Sequence, residues 1–515
     1  MAKKDNFVIF QPHFFGGVSR LSSEGLNKYK FYNGEDIDIF SEMNYIQPSI
    51  TFQTDNILNT YNVTGFTMGS TGKLYALGQN ATPKATVSYR TTPSGASPTA
   101  WTALFTSSNY LATHDYSPIT DFQTTETTKK EYLYYHTSSG TAFSSGTAYL
   151  SRYGDLLGSP TETGTAFGAL TGLNETDKLC HLVHNGELFV ANGNKVARVT
   201  SVGNFVEGTY TLPSGLRVVD MIPMVLTTGG DYLALLCSDS NNPNQSTVVI
   251  WDIVATSGYI AKVRIPVAKP QWIQKVGSIY LIAGVNPNNK LEIYALSGLI
   301  STDSPIFVID DVSYSLTRPV SSVNTKYFMG NVFHFGVEGT TKSGIYAISE
   351  VEEDKPAMTL LHRCATTDYS KHRPLAFLVT SDSKYLSYYD DGNYRVAICN
   401  AQNPTYSSNA VLDTLLYHAN TPYVDKSWEM FQIGTESLPI GCSIGITARK
   451  NLTDDFTNIN STLSAVSTAY TEIQDISIEG FMGRQLQLRL SFVSNVASRA
   501  KIRFIGLSGI INYLE

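Results

Sequence analysis

Cys180–Val199 reads CHLVHNGELFVANGNKVARV and holds three short apolar runs separated by turn residues. CHLVH and ELFVA are joined by Asn185-Gly186, two residues that tolerate positive φ and so close a type I′ hairpin. VARV follows after one more turn. β-Branched and aromatic residues alternate with polar ones, and amphipathic helical windows are missing, so the stretch predicts antiparallel strands.

The same unit recurs along the chain. An apolar strand with an aromatic near its start appears as LYAL (Leu74–Leu77), YLYY (Tyr132–Tyr135), LFVA (Leu188–Ala191) and YLALL (Tyr232–Leu236). It returns as IYLIA (Ile279–Ala283), VFHF (Val332–Phe335) and YLSYY (Tyr385–Tyr389), at intervals of 58, 56, 44, 47, 53 and 53 residues. A second apolar strand follows each after a turn, from VSYR (Val87–Arg90) to YRVAI (Tyr394–Ile398). A further strand precedes several pairs, as in Met221–Val225 and Trp272–Val276. Units of ~40–50 residues with three or four antiparallel strands are the signature of β-propeller blades. The expected fold is all-β, with a propeller of about seven blades (six to eight) over residues 51–404.

Beyond Tyr406 the rhythm breaks. GRQLQLRLSF (Gly483–Phe492) places Leu486, Leu488, Leu490 and Phe492 on one face and Gln485, Gln487 and Arg489 on the other. With Met430–Ile433, Ser443–Ala448, Lys501–Phe504 and Gly509–Tyr513, this predicts a C-terminal β-sandwich or jelly roll over residues 405–515. Residues 1–50 read as an arm or closing strand.

Bulk composition narrows the function. Charged residues make up 16% and aromatics 11%, which excludes a disordered chain. The formal charge of −7 argues against a sequence-reading DNA binder. Five cysteines at irregular spacing, with no CxxC pair, read as buried reduced thiols. The start, MAKKDN, lacks the apolar core of a secretion signal, and no apolar run approaches the ~18 residues of a membrane span.

Chemical motifs are sparse. His181-x-x-His184 with Glu187 has the residue types of a metal site, but on a strand a spacing of three points the two rings to opposite faces. No Gly-x-Ser-x-Gly elbow, P-loop or dinucleotide glycine fingerprint occurs, nor the repeated Ser-x-Asp-x-Gly-x-Thr-Trp box of sialidases. The expectation is a protein that is not an enzyme, with no catalytic, cofactor-binding or metal residues. Charge, in contrast, is segregated. Residues 480–514 hold Arg484, Arg489, Arg499, Lys501 and Arg503 and no acid. Glu350, Glu352, Glu353 and Asp354 cluster in one loop, and Glu35, Asp36, Asp38 and Glu42 in the arm. Complementary patches between identical subunits are the expected use, with Arg489, Lys501 and Arg503 as interface candidates.

The order of these pieces resembles a known family. FFGGVSR (Phe14–Arg20) and DIDIFSEMNYIQPSITF (Asp36–Phe52) precede the propeller. Lys426-Ser427-Trp428, LPIGCSI (Leu438–Ile444), GRQLQL (Gly483–Leu488) and the closing IRFIGLSGIINYLE (Ile502–Glu515) follow it. The organisation is similar to that of the nozzle, or hub, proteins of tailed bacteriophages. The resemblance implies a structural protein of the virion tail, assembled in the bacterial cytoplasm. Six copies would form a ring below the portal and adaptor, enclosing and gating the DNA exit channel and holding fibres or spikes. Genomic DNA would pass without sequence-specific binding. Six copies at −7 each carry −42, and an acidic conduit repels phosphates. Glu350, Glu352, Glu353, Asp354, Asp390 and Asp391 are the residues expected to face that lumen. Two other classes stay open: a glycan-binding or polysaccharide-cleaving tail propeller, and a monomeric peptide-binding scaffold.

Overall fold

The computed structural model describes residues 4–12, 17, 30–42, 45–55, 62–79, 84–91, 100–111, 117–125, 128–140, 146–158, 165–174, 177–226, 229–310, 312, 318–319, 325–327, 330–339, 343–352, 355–364, 372–380, 383–400, 404–464, 473–495 and 497–513. Every regular element among them is a strand, so no helix long and apolar enough to cross a membrane occurs there.

Seven antiparallel blades follow one another along the chain. Each repeated apolar run of the sequence is the second strand of its blade. The third blade, for example, runs His181–His184, Glu187–Asn192, Lys195–Val199 and Phe205–Thr211. The second strands read as continuous apolar runs because they are covered on both sides by neighbouring blades; every residue of Ile279–Val285 is buried. Each of the seven blade–blade contacts has its own apolar cluster. Tyr75 and Leu133 meet between the first and second blades, and Phe66 and Tyr385 between the first and seventh. That last cluster shows that the blades close into a ring, and the fold is a β-propeller.

Closure comes from a short element. The seventh blade is built from His372–Val379, Ser383–Asp390 and Asn393–Asn400, and its outermost strand is Gln53–Asp55, which precedes the first blade. Asp55 then ties this strand to the first blade, accepting hydrogen bonds from buried Arg90 at 2.6 Å and Trp101 at 3.0 Å.

The remaining strands form a two-sheet sandwich. One sheet orders Lys4–Gln11, Ile502–Asn512, Lys426–Thr435 and Ile473–Gly483. The other runs from Asn33–Glu35 through Ala410–Asp413, Gln487–Val493 and Ser443–Arg449 to Thr457–Ser464. Trp428, Phe431 and Leu507 of the first sheet pack with Ile444, Leu488, Leu490 and Phe492 of the second in one core. Gln487 lies on the face opposite Leu488, as the alternation sets it, but that face is covered there. Gln487 is buried, donating to Thr414 O at 2.7 Å and accepting from Arg449 at 2.7 Å, so a buried polar group off the core face is satisfied within the chain.

The first 50 residues divide their work. Lys4–Gln11 is an edge strand of the sandwich. Asn33–Glu35 lies between the sandwich and Lys355–Arg363, the outermost strand of the sixth blade, which it meets in a parallel bridge between Glu35 and Leu360. The closing strand lies just beyond, at Gln53–Asp55.

Candidate functional site

Three features of this architecture bear on function: the axial cavity, the acidic residues and the exposed apolar surface.

The innermost strands surround an axial cavity of about 530 Å³, lined by Phe66, Thr120, His181, Asp220, Gln274 and Phe377 among others. Innermost strands pair on one side only, so their other edges turn backbone groups toward the axis. Asp220, beside a bulge in Leu216–Val225, exploits this by accepting a hydrogen bond from Ile273 N in the fifth blade at 2.9 Å. Burial pushes its carboxyl up to about 7, against the pull of the Ile273 and Met221 N–H groups. His181 approaches Thr120 Oγ1 at 2.9 Å through Nδ1 and His136 Nε2 at 2.9 Å through Nε2, linking the second and third blades. Burial holds His136 down at about 3 and, with His136 alongside, keeps His181 well below its ordinary value. Two neutral rings sharing one proton form this contact.

His184 points elsewhere, to Asp231 of the fourth blade at 2.6 Å, as the strand spacing required. No group of three or more His, Cys, Asp or Glu able to hold a metal occurs among the described residues.

The acidic residues act mainly as fasteners of turns. In the first, third and fifth blades the turn between the first and second strands is reached by a carboxylate of the following blade. Ser70 N donates to Glu131 of the second blade at 2.8 Å, and Ser70 Oγ also contacts that carboxylate. Asn185 Nδ2 donates to Asp231 of the fourth blade. Ser278 donates through N at 3.1 Å and through Oγ at 2.5 Å to Glu350 of the sixth. Gly277, with φ of +60°, makes room for this carboxylate, since a Cβ there would sit 1.6 Å from Glu350 Oε2. Glu131 is also paired with Asp121. Burial and the neighbouring Glu131 raise Asp121 to about 9, while hydrogen bonds from Asp121 and Ser70 outweigh burial and hold Glu131 below its ordinary value. The two carboxyls share one proton.

The lumen candidates occupy different places. Glu350 is engaged with Ser278, and Asp390 pairs with Arg395 at 2.6 Å. Asp391, with φ of +38°, forms the turn with Gly392 between the second and third strands of the seventh blade. Glu352 ends the strand Gly344–Glu352, whereas Glu353 and Asp354 lie outside the described residues.

The interface candidates meet partners within the chain. Arg489 forms a two-pronged pair with Asp413 at 2.6 and 2.9 Å and lies over Phe456. Lys501 pairs with Glu42 at 2.6 Å and Glu436 at 3.2 Å, and Arg503 donates to Tyr45 Oη at 2.8 Å. Arg499 lies 3.6 Å from Asp38. The other half of the acidic arm holds the propeller: Glu35 pairs with Arg363 of the sixth blade at 2.7 Å, and Asp36 accepts from Arg363 N at 2.7 Å. The complementarity between acidic arm and basic strands is thus realised inside one chain, as a clasp between sandwich and propeller. Sequence segregation revealed the charges but not who meets whom.

The surface feature that sequence reading missed is apolar. First-to-second and third-to-fourth turns emerge on one face of the propeller. The exposed large apolar residues of the described propeller all lie at or beside those turns, in the second to fifth blades. Val254 is 84%, Ile300 78% and Val225 69% exposed, joined by Val183, Val202 and Ile260. The opposite face carries none among the described residues. A one-sided patch of this kind marks an interaction surface, since scattered exposure would show no preference for a face.

No family model matches the chain, and no curated protein matches it. Among solved structures, Trypanosoma rangeli sialidase in complex with sialic acid is 9% identical, covering 94% of this chain and 94% of its own, with a TM-score of 0.33. The WD40 domain of Toxoplasma gondii coronin is 12% identical over 71% of this chain and 88% of its own, with a TM-score of 0.42. Neither passes on a substrate, a partner or a site.

Proposed function

We propose that the chain is a non-enzymatic structural protein of a bacteriophage tail, six copies of which form the nozzle ring below the portal and adaptor. The observation that carries this reading is the apolar surface confined to one face of the propeller, on a block whose ion pairs are spent on fastening itself. Such a block is suited to being built into an assembly. The resemblance supplies the setting, in which the ring encloses the exiting DNA and holds fibres on its outer wall. The acidic balance serves that role, because a net negative conduit does not retain phosphates.

Mass by light scattering, followed by negative-stain imaging, tests the ring. Rings of about six subunits with an open centre are expected; a 56.5 kDa monomer under all conditions, adaptor present, overturns the reading. Within the ring, Glu352, Glu353, Asp354 and Asp391 are the acids to reverse. Lysine at these positions should slow genome delivery, and an unchanged rate would remove them from the lumen.

The Asp121–Glu131 pair is the one feature that favours a polysaccharide-cleaving propeller. Its carboxyls are within hydrogen-bonding reach, closer than the ~5 Å of retaining glycosidases, which fits a fastener better. Release of reducing ends from host polysaccharide, abolished in Asp121→Asn, would establish cleavage instead.

A further inference from the structure

The sandwich carries a second exposed apolar surface, remote in sequence from the first. In the sheet that begins with Lys4–Gln11, residues alternate between the core and the outside. Phe7 and Ile9 pack inward, while Val8 is 78% and Phe10 53% exposed. The register sets Val8 opposite Ser508, which in turn stands opposite Met430, itself 42% exposed. One row along, Asn6, Ile510 and Ser427 lead to Met482, 55% exposed. Val8, Phe10, Met430 and Met482 therefore form one strip across the outer face of a four-stranded sheet.

We propose that this strip docks on the apolar face of the second to fifth blades of another copy of the chain. The inference rests on the ring reading above and specifies its contact. Both surfaces are apolar, and their charged margins are complementary. Lys4 stands exposed at the Met482 end of the strip beside Arg484, which pairs with Asp425 at 3.5 Å, and Asp303 stands exposed among the platform turns together with Asp231, which pairs with His184 at 2.6 Å. The platform also carries Lys275, which lies over the Tyr280 ring. Because the two surfaces are different parts of the molecule, the contact is head-to-tail. A head-to-tail contact leaves each bound copy with one free surface of each kind at its ends, so assembly continues until the rotation closes a ring. A self-complementary patch would instead stop at a dimer.

Two double variants test the pairing. Val254→Asp with Ile300→Asp disables the platform, and Val8→Asp with Met430→Asp disables the strip. All four side chains are exposed, so melting curves should match the parent; lysine at the same positions provides a second pair should either aspartate variant fold poorly. The parent chain is expected to assemble and each variant alone to remain a monomer. Mixed one to one, the variants should form a heterodimer and nothing larger, because the mixture contains one working strip and one working platform. Assembly of either variant as in the parent, or a mixture that stays monomeric, overturns this contact while leaving the ring reading standing. A parent chain that never self-associates overturns both.

Discussion

Arg90 and Asp55 show how much can depend on one pair of side chains. Their side chains are 0% and 3% exposed, and the carboxylate joins the closing strand to the first blade through Arg90 and Trp101. Removing one partner of a buried pair leaves an uncompensated charge, which costs about 3–5 kcal/mol. Arg90→Ala should lose that much in urea unfolding, whereas Arg90→Met with Asp55→Leu should lose less, because no charge is stranded. Equal losses would mean that packing, not charge, holds the seam. Asp220 makes a prediction about pH. Its folded value is about 7 against an ordinary 3.8, so between these the folded chain keeps a proton that the unfolded chain releases. Stability from this residue is therefore present below about pH 4 and lost as pH rises through about 7. Buried neutral His136 and His181 act in the opposite direction at lower pH, so the informative quantity is the difference between parent and Asp220→Asn. The variant should gain on the parent by roughly 2 kcal/mol between pH 5 and pH 8. A difference that stays constant with pH would show that Asp220 titrates normally.

At the scale of elements, the second strands were readable because blade packing covers both their faces and forces a continuous apolar run, often with an aromatic, and third strands such as Ser246–Trp251 share this burial. The Asn185-Gly186 turn was readable for the same kind of reason, since only a few residue types accept its backbone. The closing strand Gln53–Asp55 was not readable: three residues carry no periodicity, and its partner strand lies more than 300 positions away. The charge clusters were visible, but their pairing was not, because Glu42 and Lys501 are brought together only by the path of the arm across the sandwich. That pairing is testable. Lys501→Glu should cost about 1 kcal/mol, the scale of a half-exposed ion pair, and Glu42→Lys added to it should restore part of the loss. Restoration is incomplete in this scheme because Glu436 also contacts Lys501. An additive double variant would mean that the two residues do not meet in solution, and Lys501 would again be available to a neighbouring subunit.

For the molecule as a whole, the arm spans two bodies whose cores meet only at the sixth blade. Seven apolar clusters lie between blades, and an eighth holds the sandwich together with Phe31, Ile37 and Phe40 of the arm and Val332, Ala347, Ala357 and Leu361 of the sixth blade. Glu35 and Asp36 grip Arg363 on the sixth blade while Asp38 and Glu42 grip Arg499 and Lys501 on the sandwich. Two such bodies melt independently unless their interface costs more to break than either gains by unfolding alone. A chain lacking residues 1–42 keeps Gln53–Asp55 and so keeps propeller closure, but it loses an edge strand of the sandwich and the whole clasp. In calorimetry the intact chain should show one endotherm, and the shortened chain two, with the sandwich melting first and the propeller close to the original temperature. A single endotherm in the shortened chain would mean that the packing of Val332, Ala347, Ala357 and Leu361 of the sixth blade against the sandwich couples the bodies without the arm. For a subunit loaded between a strip on one neighbour and a platform on another, the clasp is where that load passes from sandwich to propeller. Weakening it through Arg363→Ala should therefore destabilise assembled rings under heating more than it destabilises the isolated chain.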